Sequence, residues 1–222
     1  MQNHIDLIAK APFFSGVKIE DFTRTLDYLN AQISRFQKDE PIFTEGEAVT
    51  RAGIILSGQA QIRIVDYNGN SNILAQLPSG EMFGEALCSI EADELPVSIY
   101  ASEPCEVLFF DSKKLMDIEK NDFDLKPLLV KNLLLIVSAK ALRLRAKINI
   151  LSQRTTREKI MAYLLMESKS CGKKEFTIKL DRQQLADFLG VERSAMSAEL
   201  SRLKKDGIIE TRKSYFKILT DY

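Results

Sequence analysis

Hydrophobic positions divide the chain into three segments, helical, alternating and helical again. Residues 1–30 carry apolar positions at helical spacing, Ile5, Leu7 and Ile8, then Phe22, Leu26 and Leu29, with Pro12-Phe13-Phe14 and Gly16 between the two pieces. This predicts two short helices. From residue 31 to about 110 the runs shorten and alternate: Ile33 and Phe36, Ile42-Phe43, Ile54 to Leu56, Gln61 to Val65, Ile73 to Leu77, Val97 to Tyr100 and Val107 to Phe110. Glycines 46, 53, 58, 69, 80 and 84 punctuate them, and Asn68-Gly69-Asn70 is a tight-hairpin signal. Short strands at this spacing predict an antiparallel β-roll or barrel. Beyond Ser112 the period returns to helical, with a short helix broken near Asn121 and a long one from about Leu125 to Asn149. Pro127 falls in its first turn, where the missing amide has no helical acceptor to lose.

Along that long helix, Leu125, Leu128, Asn132, Leu135, Ala139, Leu142, Ala146 and Asn149 recur in steps of three and four. The row is a heptad seam over about 38 Å. One reading is a two-fold dimer helix, with Asn132 fixing the register; the other packs the same face on the chain's own β-roll. The dimer is favoured, because the β-roll needs little cover.

The last third carries the most specific pattern, Asp181 to Lys205. Asp181 and Gln184 have capping-box spacing, and Leu185, Ala186 and Leu189 form one apolar face. Gly190 stands where the first helix must stop. A second helix follows from about Arg193, with Met196, Leu200 and Leu203 inward and Arg193, Ser194, Ser197 and Ala198 outward. Small polar residues and one arginine on the outer face suit a DNA major groove. Two helices around a glycine also suit a hairpin inside some other domain. The flanks decide: Lys204-Lys205-Asp206-Gly207 closes the second helix, and Ile208 to Thr211 and Tyr215 to Leu219 read as strands around Arg212-Lys213-Ser214. Phe176 to Leu180 reads as a third strand. That order is a winged helix-turn-helix, with a basic tip for a phosphate backbone. Arg182, Arg193, Ser194, Ser197, Arg212 and Lys213 form the expected DNA-facing set. The expected organisation is α+β: a β-roll domain over 1–120, a dimerisation helix over 121–149 and the winged helix-turn-helix over 150–222.

Charge supports this division. The 222 residues balance 31 basic against 31 acidic groups. Yet Arg143 to the C-terminus holds 18 basic and 10 acidic residues, leaving 13 and 21 for the remainder. A basic segment behind an acidic one fits DNA binding joined to a sensor or partner domain. Cys88, Cys105 and Cys171 are widely spaced and His4 is the only histidine, so a multi-ligand zinc or haem site is not expected. The first residues lack a signal-peptide pattern, and the most apolar run, Leu128 to Ala139, is too short for a membrane span. A reducing cytoplasm is the expected compartment. There is no Ser/His/Asp set, P-loop or metal motif, so an enzyme is not expected.

The succession of roll, long helix and winged domain resembles the cyclic-AMP receptor protein and fumarate–nitrate regulator (Crp/Fnr) family of bacterial transcription factors, over nearly the whole chain. The residues that carry the resemblance are Glu45-Gly46-Glu47 with Ile55-Leu56-Ser57-Gly58, then Gly80-Glu81-Met82-Phe83-Gly84-Glu85, then Asp181 to Ile209. The resemblance implies a roll with a cyclic-nucleotide-binding-like fold that binds a small effector, helices that pair two subunits, and recognition helices set on a palindromic promoter site, with RNA polymerase as a further partner. It places Arg193 where many members read guanine. Ser194 and Ala198 stand where the cyclic-AMP receptor has glutamate and a second arginine, so its DNA preference does not carry over.

The effector site departs further. Cyclic-nucleotide members place an arginine and a small hydroxyl residue ten residues beyond the glutamate of Gly84-Glu85; here those positions are Leu95 and Pro96. Neither side chain holds a phosphate, and proline lacks an amide donor. Cyclic AMP is therefore not expected to bind tightly, and Gly84, Glu85, Leu87, Leu95, Pro96 and Val97 are expected to line a site for another small molecule, an apolar or aromatic acid among the options. The several N-terminal cysteines of the iron–sulfur members and the roll histidine of the haem members are absent. Two alternatives stand beside this: a regulatory module that docks on a protein partner, and a redox regulator using Cys88 and Cys105.

Overall fold

A computed structural model of the chain describes residues 2–48, 51–65, 71–86, 94–117 and 123–220. Two compact units divide it, Met1–Ser138 and Ala139–Tyr222.

The first unit opens with α1 (Gln2–Ile8), two 3-10 turns at Pro12–Phe14 and Ile19–Asp21, and α2 (Phe22–Tyr28). Eight strands follow: β1 (Gln32–Phe36), β2 (Pro41–Phe43), β3 (Ala52–Ser57), β4 (Gln59–Val65), β5 (Ser71–Pro78), β6 (Met82–Phe83), β7 (Ser98–Ala101) and β8 (Cys105–Phe110). They form two four-stranded sheets, β1-β8-β3-β6 and β2-β7-β4-β5, with antiparallel pairing throughout. Strand alternation sorts the apolar residues into two cores. Ile55, Phe83 and Val107 enter the roll interior with Ile42, Ala60 and Ile99. Ile54, Met82 and Leu108 face the opposite way and join Phe13, Phe14, Phe22 and Leu29. The expected strands are all present; the hairpin signal Asn68-Gly69-Asn70 lies outside the described residues. Two glycines shape the roll. Gly53 lies against Phe83, whose ring would be 2.3 Å from an added Cβ, and Gly58, at φ +75°, packs on the Pro104 carbonyl.

After α3 (Lys113–Met116) comes α4 (Lys126–Leu151), which runs two residues beyond the expected end. Leu129 and Leu133 of α4 join the core of the first unit.

The second unit comprises the end of α4, α5 (Thr156–Cys171), β9 (Glu175–Thr177), α6 (Arg182–Leu189), α7 (Arg193–Lys205), β10 (Ile209–Arg212) and β11 (Tyr215–Ile218). Its three strands pair in the order β10-β11-β9. One core unites Ile160, Met161 and Leu164 of α5 with Leu185 and Leu189 of α6, Met196, Leu200 and Leu203 of α7, and Phe216 of β11. The expected third strand is shorter, ending at Thr177, although the Ile178 amide still donates to the Ser214 carbonyl at 2.9 Å. Among the described residues no helix is long and apolar enough to cross a membrane.

Candidate nucleic-acid interface and effector site

Local chemistry sets the two-helix motif. The Gln184 amide donates to Asp181 Oδ1 at 2.8 Å, and the Asp181 amide donates to Gln184 Oε1 at 2.9 Å. This reciprocal pair satisfies donors that a helix start leaves orphaned. Gly190 closes α6 at φ 59°, ψ 49°, a conformation that glycine reaches without strain. Helix α7 begins with Glu192 as N-cap, whose side chain makes no capping bond.

Met196, Leu200 and Leu203 turn α7 onto the core, which leaves Arg193, Ser194, Ser197 and Ala198 exposed on the other side. Spacings of one, three and four residues put them in one patch. Ser201 extends the row, its hydroxyl donating to the Ser197 carbonyl at 3.0 Å. Arg212 and Lys213 are exposed at the β10–β11 turn, where Lys213 has φ 52°.

Arg182 takes a different place from the other five. Its guanidinium lies 4.9 Å from the Phe216 ring centre, and Nη2 donates to Thr211 Oγ1 at 2.8 Å. Burial pushes its pKa down from the ordinary arginine range. The side chain braces α6 against the wing and is half-buried.

Glu199 was not anticipated. It is the buried carboxylate of α7, gripped by Arg157 of α5 at 3.4 Å and Arg202 at 3.0 Å, while Arg157 also pairs with Asp206 at 2.9 Å. These pairs tie the recognition helix to α5. The available signal was position: Glu199 follows Met196 by three and precedes Leu200, on the inward side of the helix.

The dimer-helix set divides. Asn132 is buried, and its Nδ2 donates to the carbonyls of Phe13 at 2.9 Å and Ser15 at 2.8 Å. This corrects its placing as a register residue of an open seam: two carbonyls of its own unit hold the amide. Leu128 is half-buried beside Gly16. Leu135, Ala139 and Leu142 are exposed. A second bare apolar row runs beside these three, through Leu134, Val137, Ala141, Leu144, Ile148 and Leu151 in steps of three and four. Leu134 is 64% exposed and Leu144 60%.

In the roll, Gly84 takes φ +76° and Glu85 is buried. Leu95 is 3% exposed, and its amide donates to the Glu47 carbonyl while its own carbonyl accepts from Gly46, both at 2.9 Å. Pro96 is exposed and Val97 half-buried. The loop carrying Leu95 and Pro96 therefore presents no cation, hydroxyl or free amide at those two positions. Leu87 and Cys88 lie outside the described residues. Cys105 is buried in the roll interior; burial first, then Glu103 and Glu40, push its thiol pKa up, which disfavours the reactive thiolate. Among the described residues no group of three or more His, Cys, Asp or Glu is arranged to hold a metal.

An antiparallel roll joined to a winged helix-turn-helix defines a DNA-binding transcription regulator, and comparison with known proteins agrees. Residues 33–122 match the cyclic nucleotide-binding domain and residues 158–220 the Crp-like helix-turn-helix domain. The cyclic AMP receptor protein of Thermus thermophilus is 23% identical over 199 residues, covering 90% of this chain and 88% of that protein. Two solved structures share the fold. The c-di-GMP-responsive regulator CLP of Xanthomonas campestris has TM-score 0.61 and 20% identity, covering 92% of this chain and all of that one. CprK complexed with OCPA has TM-score 0.62 and 18% identity, covering 90% of both chains. The chain belongs to the Crp/Fnr family of DNA-binding transcription regulators.

Proposed function

We propose that the protein acts in the cytoplasm as a homodimer that reads a palindromic promoter site and is gated by a small molecule other than cyclic AMP bound in its β-roll. The observation that carries the DNA part is the exposed row Arg193, Ser194 and Ser197 on a helix whose other face is fully buried. Arg193 is positioned to read guanine, a bidentate contact of about 1–3 kcal/mol in discrimination. Arg212 and Lys213 supply phosphate contacts from the wing. Arg182 serves by holding the wing in place rather than by touching DNA.

The bare apolar residues of α4 support pairing. An exposed apolar stripe on a helix is costly in water, and burial against a second copy removes that cost at about 25 cal/mol per Å². Leu134, Leu135, Leu142 and Leu144 are each more than half exposed.

Buried Leu95 and amide-less Pro96 argue against a cyclic phosphate, because a desolvated phosphate without a cation or donors is strongly disfavoured. The regulator acts through contact with RNA polymerase from its promoter site.

The test is selection of duplexes from a random library with the reduced, full-length protein. An enriched inverted repeat with half-sites about one helical turn apart is expected. A single half-site, or no enrichment with or without metabolite pools, would overturn the dimeric reading. Calorimetry with cyclic AMP is expected to give no submillimolar binding; such binding would overturn the ligand reading.

A further inference from the structure

On the helix-covered face of the sheet β1-β8-β3-β6 lies a cavity of about 650 Å³ between α1, α2 and β1. We propose that it is a second ligand site, separate from the roll interior, for a small amphiphile with an apolar body and a single ammonium head.

The volume falls within the roughly 300–1,000 Å³ of small-molecule sites. Its wall is apolar: Ile8 and Leu108 are buried in the core beneath it, Leu26 flanks them, and Ile33, 38% exposed, stands at the mouth. The cavity is separate from the roll interior because strand residues alternate between faces. Leu108 turns toward the helices, whereas its neighbour Val107 enters the interior core.

The lining has three polar side chains, Thr23, Asp27 and Arg35. Arg35 is already engaged: its Nε donates to Glu106 Oε1 at 2.8 Å. Asp27 has no ion-pair or hydrogen-bond partner for its side chain among the described residues. Among the described residues of the lining, the unbalanced charge is therefore one carboxylate. Asp27 is exposed at the rim; an ammonium head pairs with it, whereas a carboxylate head meets it with the one cation of the lining, Arg35, already paired to Glu106. The apolar body of the ligand covers the otherwise wet surfaces of Ile33 and Leu26. It also rests on the core that seats Leu129 and Leu133 of α4, so occupancy stiffens the seat of that helix.

Three probes of nearly equal shape test this on the full-length protein by calorimetry: phenylbutylamine, phenylbutanol and phenylbutyrate. The amine is expected to bind one per chain, about three- to tenfold tighter than the alcohol, with the acid weakest. Asp27→Asn should bring amine and alcohol within about twofold of each other. Ala31→Phe, which fills the cavity from its lining, should weaken amine and alcohol together by more than about tenfold. Ile33→Trp is the second filling variant, used if Ala31→Phe does not melt as the parent does. No binding at low millimolar concentration, tightest binding by the acid, equal binding of amine and alcohol to the parent, or affinity unchanged in a folded filling variant would each overturn the proposal.

Discussion

The two units use their special residues in opposite ways. In the C-terminal unit the residues that make the fold and those that meet a ligand are different sets on opposite faces of one helix. Met196, Leu200 and Leu203 hold α7, while Arg193, Ser194 and Ser197 are free of packing duty. In the roll, the motif residues mostly serve the backbone. Gly58 and Gly84 take positive φ, and Leu95 packs while its amide and carbonyl pair with residues 46 and 47. A turn retains its shape when the side chains that hold an anion are replaced. A matching scaffold therefore carries less information about a ligand than an exposed row on a recognition helix carries about DNA.

The largest effect tests whether the bare row of α4 completes the molecule. Leu144→Glu places a charge where a partner helix would bury an apolar side chain. Loss of a buried leucine is worth about 1.5–3 kcal/mol per copy, so the dimer should weaken by roughly 100-fold or more, visible by sedimentation. Because Leu144 is 60% exposed, the variant chain should fold as the parent does, and any fall in its melting temperature should follow from lost association and so from protein concentration. A dimer of unaltered stability would move the pairing surface elsewhere.

Next comes the backbone role of the roll glycines. Gly58→Ala must hold φ +75° and set a methyl 2.2 Å from the Pro104 carbonyl oxygen. Left-handed strain and overpacking together predict a loss of about 2–4 kcal/mol in the roll. Urea denaturation followed through the N-terminal unit should show it, with the C-terminal transition unmoved. If both transitions shifted alike, the two units would share one cooperative fold.

A smaller effect concerns the DNA face. Arg193→Ala should cost about 1–3 kcal/mol at one symmetric base-pair position and leave the others as they were. Lys213→Ala should weaken binding evenly across sequences and lower the salt slope by about one. A preferred sequence untouched by Arg193→Ala would assign the reading to another residue of the row.

How far the sequence was legible follows the distance over which each feature is decided. The capping box of Asp181 and Gln184, the stop at Gly190 and the inward trio of α7 lie within a few residues, and each appears as read. The strands were legible from alternation, except Met82–Phe83, whose two residues are too few to show a period. Asn132 was misplaced because its partners, the carbonyls of residues 13 and 15, lie more than a hundred positions away. Arg182 reads as a surface cation; only the fold of the wing brings Phe216 and Thr211 to it. Glu199 is hidden by its charge, since its arginine partners come from another helix and from its own next turn. The cavity beneath α1 and α2 is invisible in the sequence, because an unfilled space is a property of packing.

The smallest effect concerns the start of α5, where the C-terminal unit begins its own helical core. Thr155 and Glu158 form a capping box: the Glu158 amide donates to Thr155 Oγ1 at 3.1 Å, and the Glu158 carboxylate accepts from the amides of Thr155 at 3.0 Å and Arg154 at 3.1 Å. The Thr155 amide chiefly, then its hydroxyl, holds the Glu158 pKa below the usual carboxylate range. A depressed folded pKa contributes stability that is present above the unfolded value, about 4.3, and is lost as the pH falls through the folded one. Glu158→Gln retains an acceptor oxygen but cannot titrate. The parent should therefore melt slightly above the variant at pH 7, and the gap should close as the pH drops below about 4. A gap that stays constant across that window would assign the cap's contribution to hydrogen-bond geometry alone, with no part for the charge.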